Sequence, residues 1–256
     1  MKNTLKATIL ELKILFLIQN QQEVFQESLA RNIGDFSRFL EAISLSHGAV
    51  LNISNVARDC GVKRKTVDNY IQILEDILLA FRLPVFTKRA SRALSSHPKF
   101  YFFDSGVFQT LRPKGPLDKP EEIGGAALEG LVAQHLRAWM AYSSQSFTLY
   151  FWRSQRGTEV DFILYGEAGI YALEVKNSKK IRQADLRGLI EFGKDYPISK
   201  RVFLYRGDER LMKNGILCLP CSEFLGPLSP LNAMDDLLLQ GNCMKYVLTP
   251  KRVKRL

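Results

Sequence analysis

Thr158 to Lys176 reads TEVDFILYGEAGIYALEVK, and this stretch decides the fold. Two short apolar runs, Thr158 to Leu164 and Ile170 to Lys176, flank Tyr165-Gly166-Glu167-Ala168-Gly169. Glycines between alternating runs predict a hairpin loop. Both runs alternate with period two, so successive side chains point to opposite faces. Val160, Phe162 and Leu164 with Tyr171, Leu173 and Val175 make an apolar face. Glu159, Asp161 and Ile163 with Ala172, Glu174 and Lys176 make the other, which carries charge.

If Leu164 pairs with Tyr171, Asp161 falls opposite Glu174 and Glu159 opposite Lys176. Directly opposed residues have Cβ atoms about 4.5–5.5 Å apart, and like charges so placed destabilise a sheet. Two such carboxylates need a cation between them or a proton on one of them. An Asp, a Glu and a Lys on one sheet face have the chemistry of a divalent-metal nuclease site. The carboxylates Asp161 and Glu174 suit a hard ion, Mg²⁺ or Mn²⁺, and Lys176 suits a phosphate or the attacking water. The alternative is a solvated strand face with a surface ion pair.

Outward from the hairpin, a strand is expected at Phe147 to Arg153, a helix at Gln183 to Lys194 and a strand at Arg201 to Tyr205. A further apolar run lies at Ile216 to Leu219. Ala126 to Tyr142 reads as an amphipathic helix, with Glu129 among Leu128, Val132 and Leu136. The resulting order, α-β-β-β-α-β, predicts a mixed sheet with helices on its faces. Ahead of it, Asp104 to Gly125 is punctuated by glycine and proline and reads as a linker.

The N-terminal half has a different grain. Asp35 is the expected N-cap of a helix from Phe36 to Ser46, ended by Gly48. Ile53 to Phe81 reads as two helices joined at Cys60-Gly61-Val62. Val56, Cys60, Val62, Val67 and Ile71 fall where a helix-turn-helix keeps its internal contacts. That leaves Lys63, Arg64, Lys65, Asp68, Asn69 and Gln72 outside. Three cations at a helix N-terminus oppose the helix dipole, an arrangement that suits phosphates. Phe81 to Asp104 reads as two strands around a loop, with Arg82, Lys88, Arg89, Arg92 and Lys99 and no acid before Asp104. This has the place and chemistry of a wing. The alternatives are a structural three-helix module and a basic surface hairpin that touch no DNA.

The expected organisation is a helical segment at 1–34, a winged helix-turn-helix at 35–112, a linker at 113–125, an α/β domain at 126–228 and a basic tail at 229–256. At 256 residues, 46% hydrophobic and 24% charged, the chain has material for one or two packed domains and does not read as disordered. A net charge of +10 points to an anionic partner, nucleic acid before membrane. Cys60, Cys218, Cys221 and Cys243 form no secreted disulfide framework, and the lone Cys218-Leu-Pro-Cys221 lacks a second ligand pair. His47, His97 and His135 lack metal-ligand spacing and read as structural. No stretch approaches the ~20 apolar residues of a membrane span, and the N-terminal apolar run is broken by Glu11 and Lys13. A cytoplasmic protein is expected.

These elements resemble the restriction-endonuclease-like fold, the PD-(D/E)xK superfamily. More closely, ARDCGVKRKTVDNYIQILED, FRLP, KFYFFDSGV, FWRSQRGTEVDFIL, ALEVKNS and ADLRGL resemble a prokaryotic family of unknown function. Its members usually carry this region C-terminal to an AAA-type ATPase module. The resemblance spans roughly Phe25 to Leu225. It implies an α+β chain: an N-terminal winged helix-turn-helix followed by a nuclease-like domain. It also implies that Glu129, Asp161, Glu174 and Lys176 are the nuclease-superfamily positions, with Asp161 and Glu174 as metal ligands. No G-x-x-x-x-G-K-[ST] occurs, so the phosphate loop for ATP is absent from this sequence. The chain therefore reads as a free-standing C-terminal half or part of a longer frame. Three functions follow: a Mg-dependent DNA nuclease; a non-catalytic DNA-binding module serving an ATPase supplied elsewhere; and a protein-interaction adaptor. The DNA-binding residues expected are Lys63, Arg64, Lys65, Asn69 and Gln72 on the helix, and Lys88, Arg89 and Arg92 on the wing.

Overall fold

The computed structural model describes residues 33–87, 97–116, 118–239 and 245–246. The chain is a two-domain α+β protein. Of the described residues, 33–84 and 97–131 form one compact unit, and 85–87, 132–239 and 245–246 form a second. The expected N-terminal segment before residue 33 lies outside the described residues.

The first unit runs α1 (Ile33–Ser44), β1 (Ala49–Val50), α2 (Ile53–Cys60), α3 (Arg64–Asp76), β2 (Ala80–Leu83), β3 (Lys99–Phe102) and α4 (Ser105–Leu111). The strands pair in the order β1-β3-β2, all antiparallel. Phe36, Phe39, Leu40 and Ile43 recur at helical spacing and bury one face of α1 against Val56, Cys60, Val67 and Ile71. Asn52 caps α2 by accepting from the Asn55 N–H at 3.1 Å. Gly61, at φ 71°, ends α2 in the left-handed region that glycine adopts at least cost. The packing of these helices about Gly61 thus follows the apolar pattern of the sequence, with three boundary differences. Helix α1 begins at Ile33, so Asp35 lies in its first turn and bonds Arg38 instead of capping. Helix α3 stops at Asp76, where Leu78 turns to φ 60° and the chain enters β2. Asp104 caps α4 by accepting from Gly106 and Val107 at 2.7 and 2.9 Å, inside the stretch expected as linker.

Helix α5 (Pro120–Tyr142) starts six residues before the expected Ala126. Pro120 occupies a first-turn position that needs no N–H, and Glu121 and Glu122 favour the positive end of the helix dipole. The linker expected at 113–125 is accordingly helical from Pro120.

The second unit contains β4 (Phe147–Arg153), β5 (Glu159–Gly166), β6 (Gly169–Val175), a 3₁₀ turn (Gln183–Leu186), α6 (Arg187–Asp195), β7 (Lys200–Tyr205), β8 (Leu211–Lys213), β9 (Ile216–Pro220), α7 (Cys221–Leu225), α8 (Met234–Leu239) and β10 (Lys245–Tyr246). The sheet order is β10-β8-β9-β7-β6-β5-β4. Strands β4, β5 and β6 are antiparallel neighbours, while β6, β7 and β9 run parallel. From α5 to β7 this is the α-β-β-β-α-β order. Residues 170–175 are buried without alternation because both faces of the sheet are covered. On one face, α6 sets Phe192 against Trp152. On the other, Trp139 of α5 meets Phe147, which meets Tyr171. Gly188 makes the α6 contact possible: a Cβ there would stand 2.0 Å from the Glu159 carbonyl oxygen.

Two features correct the expected layout. The segment after β2 leaves the first unit: the Phe86 N–H donates to the Phe151 carbonyl at 2.7 Å along the edge of β4. The Phe86 ring, 1% exposed, packs among Tyr150, Tyr165, Phe192 and Tyr196. At the other end, Met234, Leu237 and Leu238 are buried, so residues 229–239 belong to the folded unit and not to a tail.

Candidate functional site

Helix α3 presents Lys63, Arg64, Lys65, Asn69 and Gln72 to solvent, while Val67, Tyr70, Ile71 and Leu74 face the core. The cations stand at the helix start, where Lys63 is the N-cap residue and makes no side-chain capping bond. Among the described residues none of the three has an ion-pair partner. Gln72 is less available than expected: its amide donates to Asp76 Oδ1 at 2.8 Å and accepts from Arg82 at 3.5 Å. Arg82, expected on the wing, bonds Glu75. Lys88, Arg89 and Arg92 lie outside the described residues.

Lys99 is the clearest departure from the expected wing. It is 1% exposed, and its ammonium donates to Glu129 Oε1 at 2.9 Å. The Tyr101 hydroxyl donates to the same oxygen at 2.6 Å. A Cβ on Gly48 would lie 3.5 Å from Glu129 Oε2, so the carboxylate is enclosed by the first unit's sheet. The acid carried over as catalytic is thus the counter-ion of a buried lysine in the first unit. Nearby, His47 Nδ1 accepts from the Phe102 N–H at 3.0 Å, and its ring stacks on Phe108 with centroids 4.0 Å apart. Burial lowers its pKa to about 4. This histidine is structural, as its spacing suggested.

In the second unit the hairpin has the expected register as far as the ladder extends. Pairing runs from Gly166–Gly169 through Leu164–Tyr171 to Phe162–Leu173. Asp161 and Glu174 follow that last pair, and here the side-chain geometry departs from simple opposition. Asp161, 5% exposed, turns Oδ2 onto the Val175 N–H at 2.9 Å. Glu174, 6% exposed, pairs through Oε1 with Lys176 Nζ at 2.6 Å. Glu159 pairs with Arg153 at 3.3 Å. Each charge has found a neighbour on its own strand, an adjacent backbone N–H or the opposite edge.

A cleft of about 370 Å³ opens at this end of the hairpin, lined by Arg156, Glu159, Glu174, Lys176, Asp185 and Arg187 among others. It lies at the carboxyl end of β6, where the chain leaves for α6 before returning in the parallel β7. Ligands of open α/β sheets bind outside such strand ends. Glu174 and Lys176 therefore share a concave surface, with Asp161 buried beside it. Glu129 is not among the lining residues. Among the described residues no group of three or more His, Cys, Asp or Glu is placed to hold a metal. Cys218 and Cys221 are buried, and burial raises both thiols to about 11.

Residues 124–224 match the model of the family described as a domain of unknown function, DUF4143. The chain contains a DUF4143 domain. Residues 12–118 match a second domain of unknown function, DUF8612. The DUF4143 match begins within α5 and ends within α7, so it covers the hairpin, the cleft and the parallel strands. Two curated relatives are an uncharacterized protein of Mycobacterium bovis, Mb2031c, and one of Mycobacterium tuberculosis, Rv2008c. Each is 24% identical over 198 residues, covering 75% of this chain and 42% of the relative. The chain spans less than half the length of these relatives. Among the described residues, no helix is long and apolar enough to cross a membrane.

Sequence reasoning missed the Lys99–Glu129 pair and the anchoring of Phe86. The signal available for the first was a lysine in the otherwise apolar run KFYFF, at a position where alternation places it beside Tyr101.

Proposed function

We propose that the chain is a nucleic-acid-binding module serving an AAA-type ATPase. In this reading its first unit is a winged helix-turn-helix and its second a restriction-endonuclease-like domain. The observation that carries it is the first turn of α3. Lys63, Arg64 and Lys65 are exposed there, unpaired among the described residues, at the end of a helix whose dipole disfavours them. An anion from outside relieves that cost, and DNA offers one charge per ~1.7 Å of duplex axis. The α-β-α-α-β-β order of the first unit supports placing α3 in a major groove. Relatives more than twice as long as the matched region leave room for such a module outside it. The test is fluorescence anisotropy on duplex DNA across a salt series. Lys63→Ala/Lys65→Ala should flatten the log–log slope by about 2, at ~0.9 per phosphate contact. An unchanged affinity and slope would remove α3 as the binding surface.

A second reading, a metal-dependent nuclease, is favoured by the meeting of Glu174 and Lys176 in one cleft with Asp161 beside it. The donor set fits Mg²⁺ or Mn²⁺ in a limited way. Magnesium takes one or two carboxylates, keeps several waters and shares the substrate's phosphates. Asp161 and Glu174 would hold it, and it would activate water and offset phosphate charge. In that case Mg²⁺ should raise the melting temperature of the native chain and not that of Asp161→Asn. Identical responses in the two proteins would end this reading.

A further inference from the structure

We infer that the second unit carries its own phosphate-chain binding surface on the rim of the cleft, made of Arg156, Lys179, Lys180, Arg182 and Arg206. This goes beyond the α3 surface and requires neither metal nor cleavage. It shares only the ligand class, nucleic acid, with the function proposed above.

The second unit pairs most of the cations that line its cleft or stiffen its sheet. Arg153 is paired with Glu159, Lys176 with Glu174, Arg187 with Glu191, Lys200 with Asp235 and Arg210 with Glu223. Lys194, Arg201 and Lys213 also lack an ion pair among the described residues, but the largest such group stands at the rim. Arg156, Lys179, Lys180, Arg182 and Arg206 are all exposed, and among the described residues none has an ion pair. The stretch Lys176 to Arg182, KNSKKIR, holds four cations and no acid. It connects Lys176 to Ala184, both of which line the cleft, while Arg156 lines the facing turn between β4 and β5.

The loop is held in place. The Lys176 N–H donates to the Leu204 carbonyl at 2.9 Å, and the Arg206 N–H to the Ser178 carbonyl at 2.9 Å. Ser178 Oγ accepts from the Lys180 N–H and donates to its carbonyl, and Asp185 Oδ2 accepts from the Arg182 N–H. Asp185, three residues from Arg182, thus directs one oxygen at backbone. A fixed loop that crowds unpaired cations raises the local positive potential, which draws anions and focuses them into a concave site. Cations stand on both walls and along the loop leading out of the cleft. A chain of phosphates, as in a nucleic-acid strand, meets such a row better than one isolated anion.

The experiment measures binding of a fluorescent single-stranded oligonucleotide to the full chain, in EDTA, over a salt series. The background is Lys63→Ala/Lys65→Ala, so that failure of the α3 reading is scored separately. Lys179→Gln/Lys180→Gln/Arg182→Gln should weaken binding and flatten the log–log slope by about 2, at ~0.7 per contact on a single strand. The control Lys194→Gln/Lys213→Gln removes exposed or half-exposed charge elsewhere in the second unit and should leave the slope unchanged. These substitutions touch no buried group, so melting temperatures should match the parent. An unchanged slope in the rim variant, an equal loss in the control, or preference for phosphatidylserine vesicles over the oligonucleotide would overturn the inference.

Discussion

Replacing Glu129 by Gln separates a structural role from a catalytic one. Lys99 is 1% exposed, and Glu129 faces its ammonium at 2.9 Å while also accepting from Tyr101 at 2.6 Å. A buried ion pair is weak evidence of net stabilisation, because both charges were taken out of water. Breaking it from one side is another matter, costing about 3–5 kcal/mol because a buried charge is left without compensation. The Glu129 side chain is 16% exposed, which admits some water, and the Gln carbonyl can still accept one of the two bonds. The expected cost is therefore about 3 kcal/mol, at the low end of that range. It should appear in the first unit, as lost hydrogen-exchange protection of amides in α1 and α3. Lys99→Met in the Glu129→Gln background should restore most of it, since an apolar side chain of similar length needs no counter-ion. A loss below about 1 kcal/mol, within the range of an exposed pair, would mean that Lys99 does not depend on Glu129. So would a double variant no better than the single.

The titration of His47 should be visible as acid instability. Its folded pKa of about 4 lies below the ordinary 6.5, so its contribution is full above pH 6.5 and is lost as pH falls toward 4, about 3 kcal/mol in total. Urea midpoints of native and His47→Phe protein at pH 7 and pH 4.5 check this; equal acid sensitivity would place the loss elsewhere. Leu78 is 73% exposed at φ 60°, so Leu78→Gly should stabilise the first unit by about 1 kcal/mol, read by the same exchange protection. Asp161→Ala leaves the buried Val175 N–H without its 2.9 Å acceptor and should cost about 2 kcal/mol, whereas Asp161→Asn keeps an acceptor and should cost less than about half of that. Equal urea midpoints for the two variants would deny Asp161 this backbone role.

What was legible in the sequence was local. Gly61 between two helical patterns placed the turn, and Val56, Cys60, Val67 and Ile71 placed the packing, because helix spacing alone fixes which residues share a face. The hairpin register was legible because Gly166 and Gly169 fix the loop and alternation fixes the rest. Legibility failed where a partner lay far along the chain. Lys99 and Glu129 are 30 residues apart on different elements, and the apolar run around Lys99 marks it as unusual without naming its partner. The Phe86 contact with β4 joins segments whose pairing no local pattern records. The ladder follows the expected register as far as Phe162–Leu173, and just past its end the Asp161 carboxylate accepts from the Val175 N–H, a bond that alternation does not reveal. The start of α5 was missed because Gly124 and Gly125 read as linker, although Pro120 and two glutamates just ahead of them favour a helix start.

Binding and cleavage can be read on one gel. Supercoiled plasmid is titrated with the full chain in Mg²⁺, one half of each sample being run directly and the other after removal of protein. A module that binds without cutting gives retarded DNA in the first half and intact supercoils in the second, with retardation weakened in Lys63→Ala/Lys65→Ala. Absence of retardation, or nicked and linear plasmid whose appearance is abolished by Glu174→Gln, would contradict it.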